Sequence, residues 1–274
     1  MNRLPYRVLA LDLDGTLTNS QKQITPVTKA ALEEAALAGV TIVLASGRPV
    51  MGIQPLADQL DLARLDGYIL AANGGQVVSC RTGQAVFTSA VPGESIAQME
   101  DIARRFQVAL LCYDSQGVIS SSPQDKYVRL EAFNNGLPVA YEGAMARRIT
   151  WPTPKLMMVG EPDKLAPCAQ YAQRFFQGKL NVFLSESYFL ELTALGVTKS
   201  SGLERLLAHL GESREALMAC GDGLNDLDML SYAGLGVAMA NAYAQTKAVA
   251  KAVTGSNDQD GVAQAVYRYI FNRS

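Results

Sequence analysis

The sequence predicts an α/β fold, with a parallel-sheet core carrying helices on both faces and an inserted α+β domain. Three observations lead there. Short apolar runs alternate with helical patterns near both ends of the chain, as in βαβ units. These runs are continuously apolar instead of alternating, which suits strands covered on both faces. The middle of the chain changes to hairpin-like and Pro-containing segments, a mixed order that marks a separate insert. The expected division is a core of 1–85 and 187–274, with 86–186 as the insert, roughly 100 residues and an ordinary domain size.

Val8-Leu-Ala-Leu11 reads as the first strand. Thr25-Pro26 caps and starts an Ala/Leu-rich helix that ends at Gly39. Thr41 to Ala45 is the second strand, a helix follows from about Pro49, and Tyr68 to Ala72 is the third strand. Gln76 to Phe87 reads as a hairpin turning at Thr82-Gly83, and Ile96, Met99, Ala103 and Phe106 recur at helical spacing after Val91-Pro92. Val108–Tyr113, Tyr127–Leu130, Leu156–Val159 and Val182–Leu184 are strand candidates, with a helix from Asp163 to about Phe176. Beyond Leu192 the βα order resumes with a helix from Lys199, the strand Leu217–Cys220, a helix near Asp226 and the strand Gly236–Met239.

Composition narrows the function. Lys and Arg number 24 against 26 Asp and Glu, a formal charge of -2, so there is no basic surplus for a nucleic-acid backbone. No apolar stretch approaches the ~20 residues of a membrane span, and no signal-peptide core precedes the first strand, so a soluble cytoplasmic protein is expected. Cys80, Cys112, Cys168 and Cys220 are far apart in apolar surroundings and read as reduced structural thiols. The single histidine, His209, on a Leu-rich helix, removes most support for multi-His metal sites and His-centred triads.

Four strand or loop ends carry candidate chemistry. Asp12 and Asp14 alternate to one side as the first strand finishes, and Gly15 permits a tight turn. Carboxylates so placed, outside the carboxyl end of a parallel strand, invite a hard divalent ion such as Mg²⁺; a plain turn is the other reading. Ser46-Gly47-Arg48 offers a hydroxyl and a flexible Gly amide before a helix, suited to an anion, while Ser46 could equally be a helix N-cap. Lys199 opens a helix where the dipole disfavours a cation, and a bound phosphate would supply a reason for it. Asp222, Asn225 and Asp226, set among glycines after another apolar strand, could hold a cation or its waters. Trp151 could stack on a sugar but is more often a packing residue.

The segments Asp12-Leu-Asp-Gly-Thr16, Ser46-Gly-Arg48, Asn73-Gly-Gly75, Gly196-Val-Thr-Lys199, Gly221-Asp-Gly-Leu-Asn-Asp226 and Val237-Ala-Met-Ala-Asn241 resemble, in order and spacing, those of the haloacid dehalogenase superfamily, and more narrowly its Cof-type sugar-phosphatase branch. The resemblance covers the core from Val8 to about Gly261; the insert matches only in length and position. Ser200 in place of the usual Gly, Ala194-Leu195 before the Gly-Val pair, and Asn-Gly-Gly in place of Asn-Gly-Ala are departures that leave the catalytic side chains intact.

The resemblance implies a Rossmann-like core, a substrate-selecting cap and a Mg²⁺-dependent phosphatase that works through an aspartyl-phosphate. Asp12 is then the nucleophile and Asp14 the general acid/base, with a pKa raised above the reference of about 3.9. Asp12, the Asp14 carbonyl and Asp222 hold the metal, Asp226 and Asn225 order its surroundings, and Ser46, Gly47 and Lys199 bind the phosphoryl oxygens. Arg48 and Asn73 touch substrate. The expected partner is a small-molecule phosphate ester, with neither nucleic acid nor membrane, in a monomer or weak homo-oligomer. A phosphomutase or phosphotransferase of the same fold, or a noncatalytic sugar-phosphate-binding regulator, are the alternative readings.

Overall fold

A computed structural model describes residues 4–273; the expectation that no export signal begins at Met1 lies partly outside them. The chain opens with strand β1 (Val8–Leu11), helix α1 (Pro26–Leu37), β2 (Thr41–Ala45), α2 (Val50–Gln59), β3 (Tyr68–Ala71), β4 (Gln76–Ser79) and β5 (Ala85–Thr88). The Thr25 hydroxyl accepts from the Thr28 amide and Pro26 stands in the first turn, so α1 begins where its cap chemistry directs. Next come α3 (Gly93–Phe106), β6 (Ala109–Tyr113), β7 (Val118–Ser120), α4 (Lys126–Asn135), β8 (Val139–Tyr141), α5 (Met145–Arg148), β9 (Lys155–Val159), α6 (Pro162–Phe175), β10 (Leu180–Glu186) and β11 (Phe189–Ala194). The chain closes with α7 (Lys199–Leu210), β12 (Leu217–Gly221), α8 (Leu227–Tyr232), β13 (Leu235–Ala238), α9 (Ala244–Val249), β14 (Ala252–Val253) and α10 (Gly261–Ala265).

Contacts divide the chain into two compact units, 1–87 with 198–274, and 88–197. The first holds an eight-stranded sheet in the order β14-β13-β12-β1-β2-β3-β4-β5. From β14 through β3 the neighbours are parallel, and β4 returns antiparallel on β3. Every residue of β1 and β12 is buried, as the continuous apolar runs require. The chain runs outward from β1 to β2 and β3, then comes back on the other side of β1 through β12. The carboxyl end of β1 thus lies at the point where strand order reverses, the usual ligand crevice of such sheets.

The second unit holds a six-stranded sheet in the order β10-β11-β9-β6-β7-β8, antiparallel except for β7 on β8. One face packs Leu110, Cys112, Leu156, Met158 and Leu190 with residues of α3 and α6; the other packs Leu111, Met157 and Val159 with Val128 and Ala132 of α4. Two expectations are corrected here. Tyr127–Leu130 is not a strand but the first part of α4: the Asp125 carboxylate accepts from the Tyr127 and Val128 amides, and left-handed Gly136 closes the helix. The first unit resumes at 198, not 187. Residues 187 and 188 are the tip of a hairpin, with Glu186 paired to Phe189, so β11 stays in the second sheet. Among the described residues no helix is long and apolar enough to cross a membrane.

Candidate active site

Leu11 and Leu13 are fully buried, and Asp12 and Asp14 alternate with them as β1 runs out into a turn. The Asp12 amide donates to the Cys220 carbonyl (3.0 Å), which sets Asp12 beside the end of β12. Gly15, at φ +82°, completes the turn, and a Cβ there would overlap the Asp222 carboxylate. Glycine is required at 15 both for the left-handed backbone and to admit that carboxylate. Thr16, buried in the same turn, donates from its hydroxyl to Asp222 Oδ1 (2.7 Å). Sequence reasoning gave Thr16 no role; its place two residues after Asp14 was the available signal.

Lys199, the first residue of α7, is 1% exposed. Its Nζ donates to Asp12 Oδ1 and to Asp226 Oδ1, each at 2.6 Å. A cation at this helix start is therefore matched by two buried carboxylates, a direct explanation that the dipole argument from sequence, which invoked a phosphate, lacked. Asp226 is wholly buried, and its Oδ2 accepts from the Asp222 and Gly223 amides (3.0 and 2.9 Å). Carboxylate oxygens of Asp12, Asp222 and Asp226 lie within 4.8 Å of one another. Burial pushes the Asp12 carboxyl up to about 7 against the pull of Lys199, with the Asp226 and Asp222 charges adding to the rise. Burial opposes the charge on Lys199, but the attraction of Asp12 and Asp226 outweighs it and holds the ammonium protonated. Burial likewise raises Asp222. An all-oxygen donor set with more negative charge than one ammonium can balance fits a hard divalent cation, as does the cradle that Gly15 leaves for Asp222.

Asp14 is placed otherwise. Its Oδ1 accepts from Lys22 Nζ and its Oδ2 from the Arg48 guanidinium, both at 2.7 Å. Burial would raise this carboxyl, but the Lys22 hydrogen bond and the Arg48 and Lys22 charges together hold it below the usual carboxylate range. The expected rise in the Asp14 pKa is thereby corrected for this state of the protein: two cations grip a group that the acid-rich reading left unpaired. Lys22 was not singled out from the sequence, because seven residues of irregular chain separate it from Asp14.

The loop after β2 is zipped to the loop after β3. The Ser46 amide donates to the Leu70 carbonyl (2.9 Å), Ala72 to Arg48 (3.0 Å) and Asn73 to Ser46 (3.0 Å). Ser46 is buried and its hydroxyl accepts from the Arg48 amide (3.3 Å); the cap of α2 is Pro49, so the N-cap reading of Ser46 fails. Asn73, in the left-handed region at φ 52°, faces Gly47 and keeps a buried Oδ1 with no hydrogen-bond partner. Asn225 is exposed. The site thus brings together Asp12, Lys199, Asp222 and Asp226, pairs Asp14 with Arg48, and joins Ser46, Gly47 and Asn73 in adjoining loops.

A model of the haloacid dehalogenase-like hydrolases matches residues 9–266, spanning every motif of the site. The chain belongs to this family. Within it, the chain is of the Cof type. A haloacid dehalogenase-like hydrolase from Bacteroides thetaiotaomicron has a solved structure that is 40% identical, with a TM-score of 0.91 over 96% of this chain and 99% of that one. A protein of Streptococcus pyogenes, provisionally named a phosphatase, is 31% identical over 98% of this chain and 100% of its own length. The pyridoxal phosphate phosphatase YbhA of Escherichia coli is 26% identical over 96% and 98% of the two chains.

The remaining candidates have structural places. Trp151 packs against the second unit's core, donates from Nε1 to the Tyr113 carbonyl (3.2 Å) and lies under the Arg148 guanidinium, as a packing residue does. Cys112, Cys168 and Cys220 are buried free thiols and Cys80 is half-buried; burial pushes the Cys220 thiol up to about 12, far from reactivity. His209 is exposed and meets the edge of Tyr68.

Proposed function

We propose that this phosphatase hydrolyses small phosphorylated metabolites, sugar phosphates among them, with Mg²⁺ and through an aspartyl-phosphate on Asp12. The observation that carries the reading is the Lys199 ammonium bridging Asp12 and Asp226 beside Asp222, at the end of the central strand. Asp12, Asp222 and the Asp14 carbonyl would hold Mg²⁺, with Asp226 fixing the Asp222 loop; the ion supplies charge neutralisation at the phosphate.

An Asp12 oxygen attacks phosphorus, the ester P–O bond breaks, and water then cleaves the acyl phosphate to return the carboxylate. Lys199, the Ser46 hydroxyl and the Gly47 amide hold the transferring oxygens where charge builds in the transition state. Asp14, ionised between Lys22 and Arg48, suits the second half-reaction, where it takes a proton from the attacking water. As acid in the first half it must first shed one of its cations. The full-length relative that acts on pyridoxal phosphate supports a small phosphomonoester as substrate class.

The test is Mg²⁺-dependent phosphate release from p-nitrophenyl phosphate, pyridoxal phosphate and hexose phosphates. Asp12→Asn should lower kcat by roughly 10³-fold or more, as loss of a covalent nucleophile does. Equal turnover by wild type and variant removes the aspartyl-phosphate from the account.

A further inference from the structure

The six-stranded sheet of the second unit ends differently at its two edges. At β10 the pairing is interrupted by a bulge between Leu184 and Glu186 and the strand finishes on a carboxylate, both of which hinder a further strand from adding. At β8 the edge is bare. Val139-Ala140-Tyr141 carries no charge and pairs with β7 in unbroken register. The Val118 amide donates to the Pro138 carbonyl, and the Glu142 amide donates to the Ser120 carbonyl. Peptide groups alternate in direction along a strand, so residues 138, 140 and 142 turn theirs toward β7. The amides and carbonyls of Val139 and Tyr141 therefore point out of the sheet. Pro138, which has no amide to give, falls on the inner side and leaves the edge open.

Two outward residues separated by one inward residue are their own complement in an antiparallel pair. With a two-fold axis at Ala140, Val139 of one copy faces Tyr141 of the other and exchanges both hydrogen bonds with it. The axis repeats this, and every outward donor and acceptor is used. Ala140 then faces itself where Cα atoms approach to about 4.5 Å, a spacing its small side chain allows. Glu142 faces Pro138, so the strands set no like charges against each other. Apolar surface lies beside the strand. Val139 packs on the α4 side of the sheet, and Tyr141, two residues on, shares that side and is 70% exposed in its helix-flanking position. Tyr127 of α4 stacks on Tyr188 of the β10–β11 hairpin; Phe133, about 120° further round the helix, stands on the flank toward β8 and is 82% exposed.

We infer that β8 is a self-association edge, where a second copy of this chain pairs antiparallel about Ala140 and extends the second unit's sheet across a two-fold axis. Two aromatics from each copy, roughly 150 Å² apiece, and the short paired strands bury an area at the low end of specific interfaces, about 1,000 Å². The dimer is accordingly weak, with Kd on the order of 10 μM. The inference is independent of the proposed function.

The test is sedimentation velocity on the full chain across a concentration series spanning that Kd. Wild type should move from monomer to dimer. Ala140→Glu and Ala140→Lys each set like charges face to face across the axis and should stay monomeric, while an equimolar mixture of the two should dimerise again. Phe133→Ser should raise Kd by at least about 10-fold. Circular dichroism should show wild-type melting for both Ala140 variants, since that side chain is exposed. Wild type that stays monomeric throughout overturns the inference, as do Ala140 variants that dimerise as wild type does. A mixture that fails to restore the dimer overturns the two-fold pairing at Ala140.

Discussion

At the scale of single residues the site is governed by charge balance. Burial pushes the Asp12 carboxyl up to about 7 from its ordinary value of 3.8, so between those values the native state holds a proton that the unfolded state has lost. This group's contribution therefore favours folding at low pH and declines as pH rises from about 4 to 7. A divalent cation binds the ionised form and should reverse the trend. Thermal melting with and without Mg²⁺ should show a larger Mg²⁺-induced rise in Tm at pH 8 than at pH 5; an equal rise at both would mean that the ion does not engage Asp12. Lys199→Met leaves Asp12 and Asp226 buried without their cation, and unfolding in urea should show a loss of roughly 3–5 kcal/mol, the usual cost of breaking a buried pair from one side.

Among elements, the approach of α7 to the loop after β3 decides where Lys199 stands. Gly74, at φ +95°, lies so close that a Cβ on it would overlap the Thr198 carbonyl, and a Cβ on Gly202 would meet the Gly74 Cα at 2.8 Å. Two backbones cross there with no side chain between them. Gly74→Ala should push the start of α7 away and lower kcat well beyond what its loss of stability explains. Asp125→Ala, which only removes the cap of α4, should cost about 1 kcal/mol in denaturant unfolding. Similar effects of the two variants on kcat at matched stability would show that this crossing does not position Lys199.

Across the whole molecule, the first unit has a hydrophobic cluster of its own, from Val8 and Leu44 to Val237 and Val266, and all its buried members come from residues outside 88–197. All three acids of the candidate metal site and Lys199 also belong to that unit. A chain in which 88–197 is replaced by a short flexible linker should therefore still unfold cooperatively and still gain Tm on adding Mg²⁺, as followed by circular dichroism. Loss of the Mg²⁺ effect there would mean that the second unit contributes to holding the ion.

The sequence by itself determined the βαβ order, most of the strands and helices of the first unit, and the residues gathered at the strand ends. Buried strands and helix caps are written in local composition, and Asp12, Ser46, Lys199 and Asp222 each follow an apolar run or open a helix. It misjudged Tyr127–Leu130, where three apolar or aromatic residues around Arg129 are too few to show a period and the Asp125 cap decides. It passed over β7 and β8, whose three residues each are too few to show alternation. Only the tertiary structure decided the charge states. Lys22 with Asp14 and Lys199 with Asp12 and Asp226 are pairings set by where strands and turns converge, and a pKa depends on the distances and burial that such convergence creates, not on neighbours along the chain.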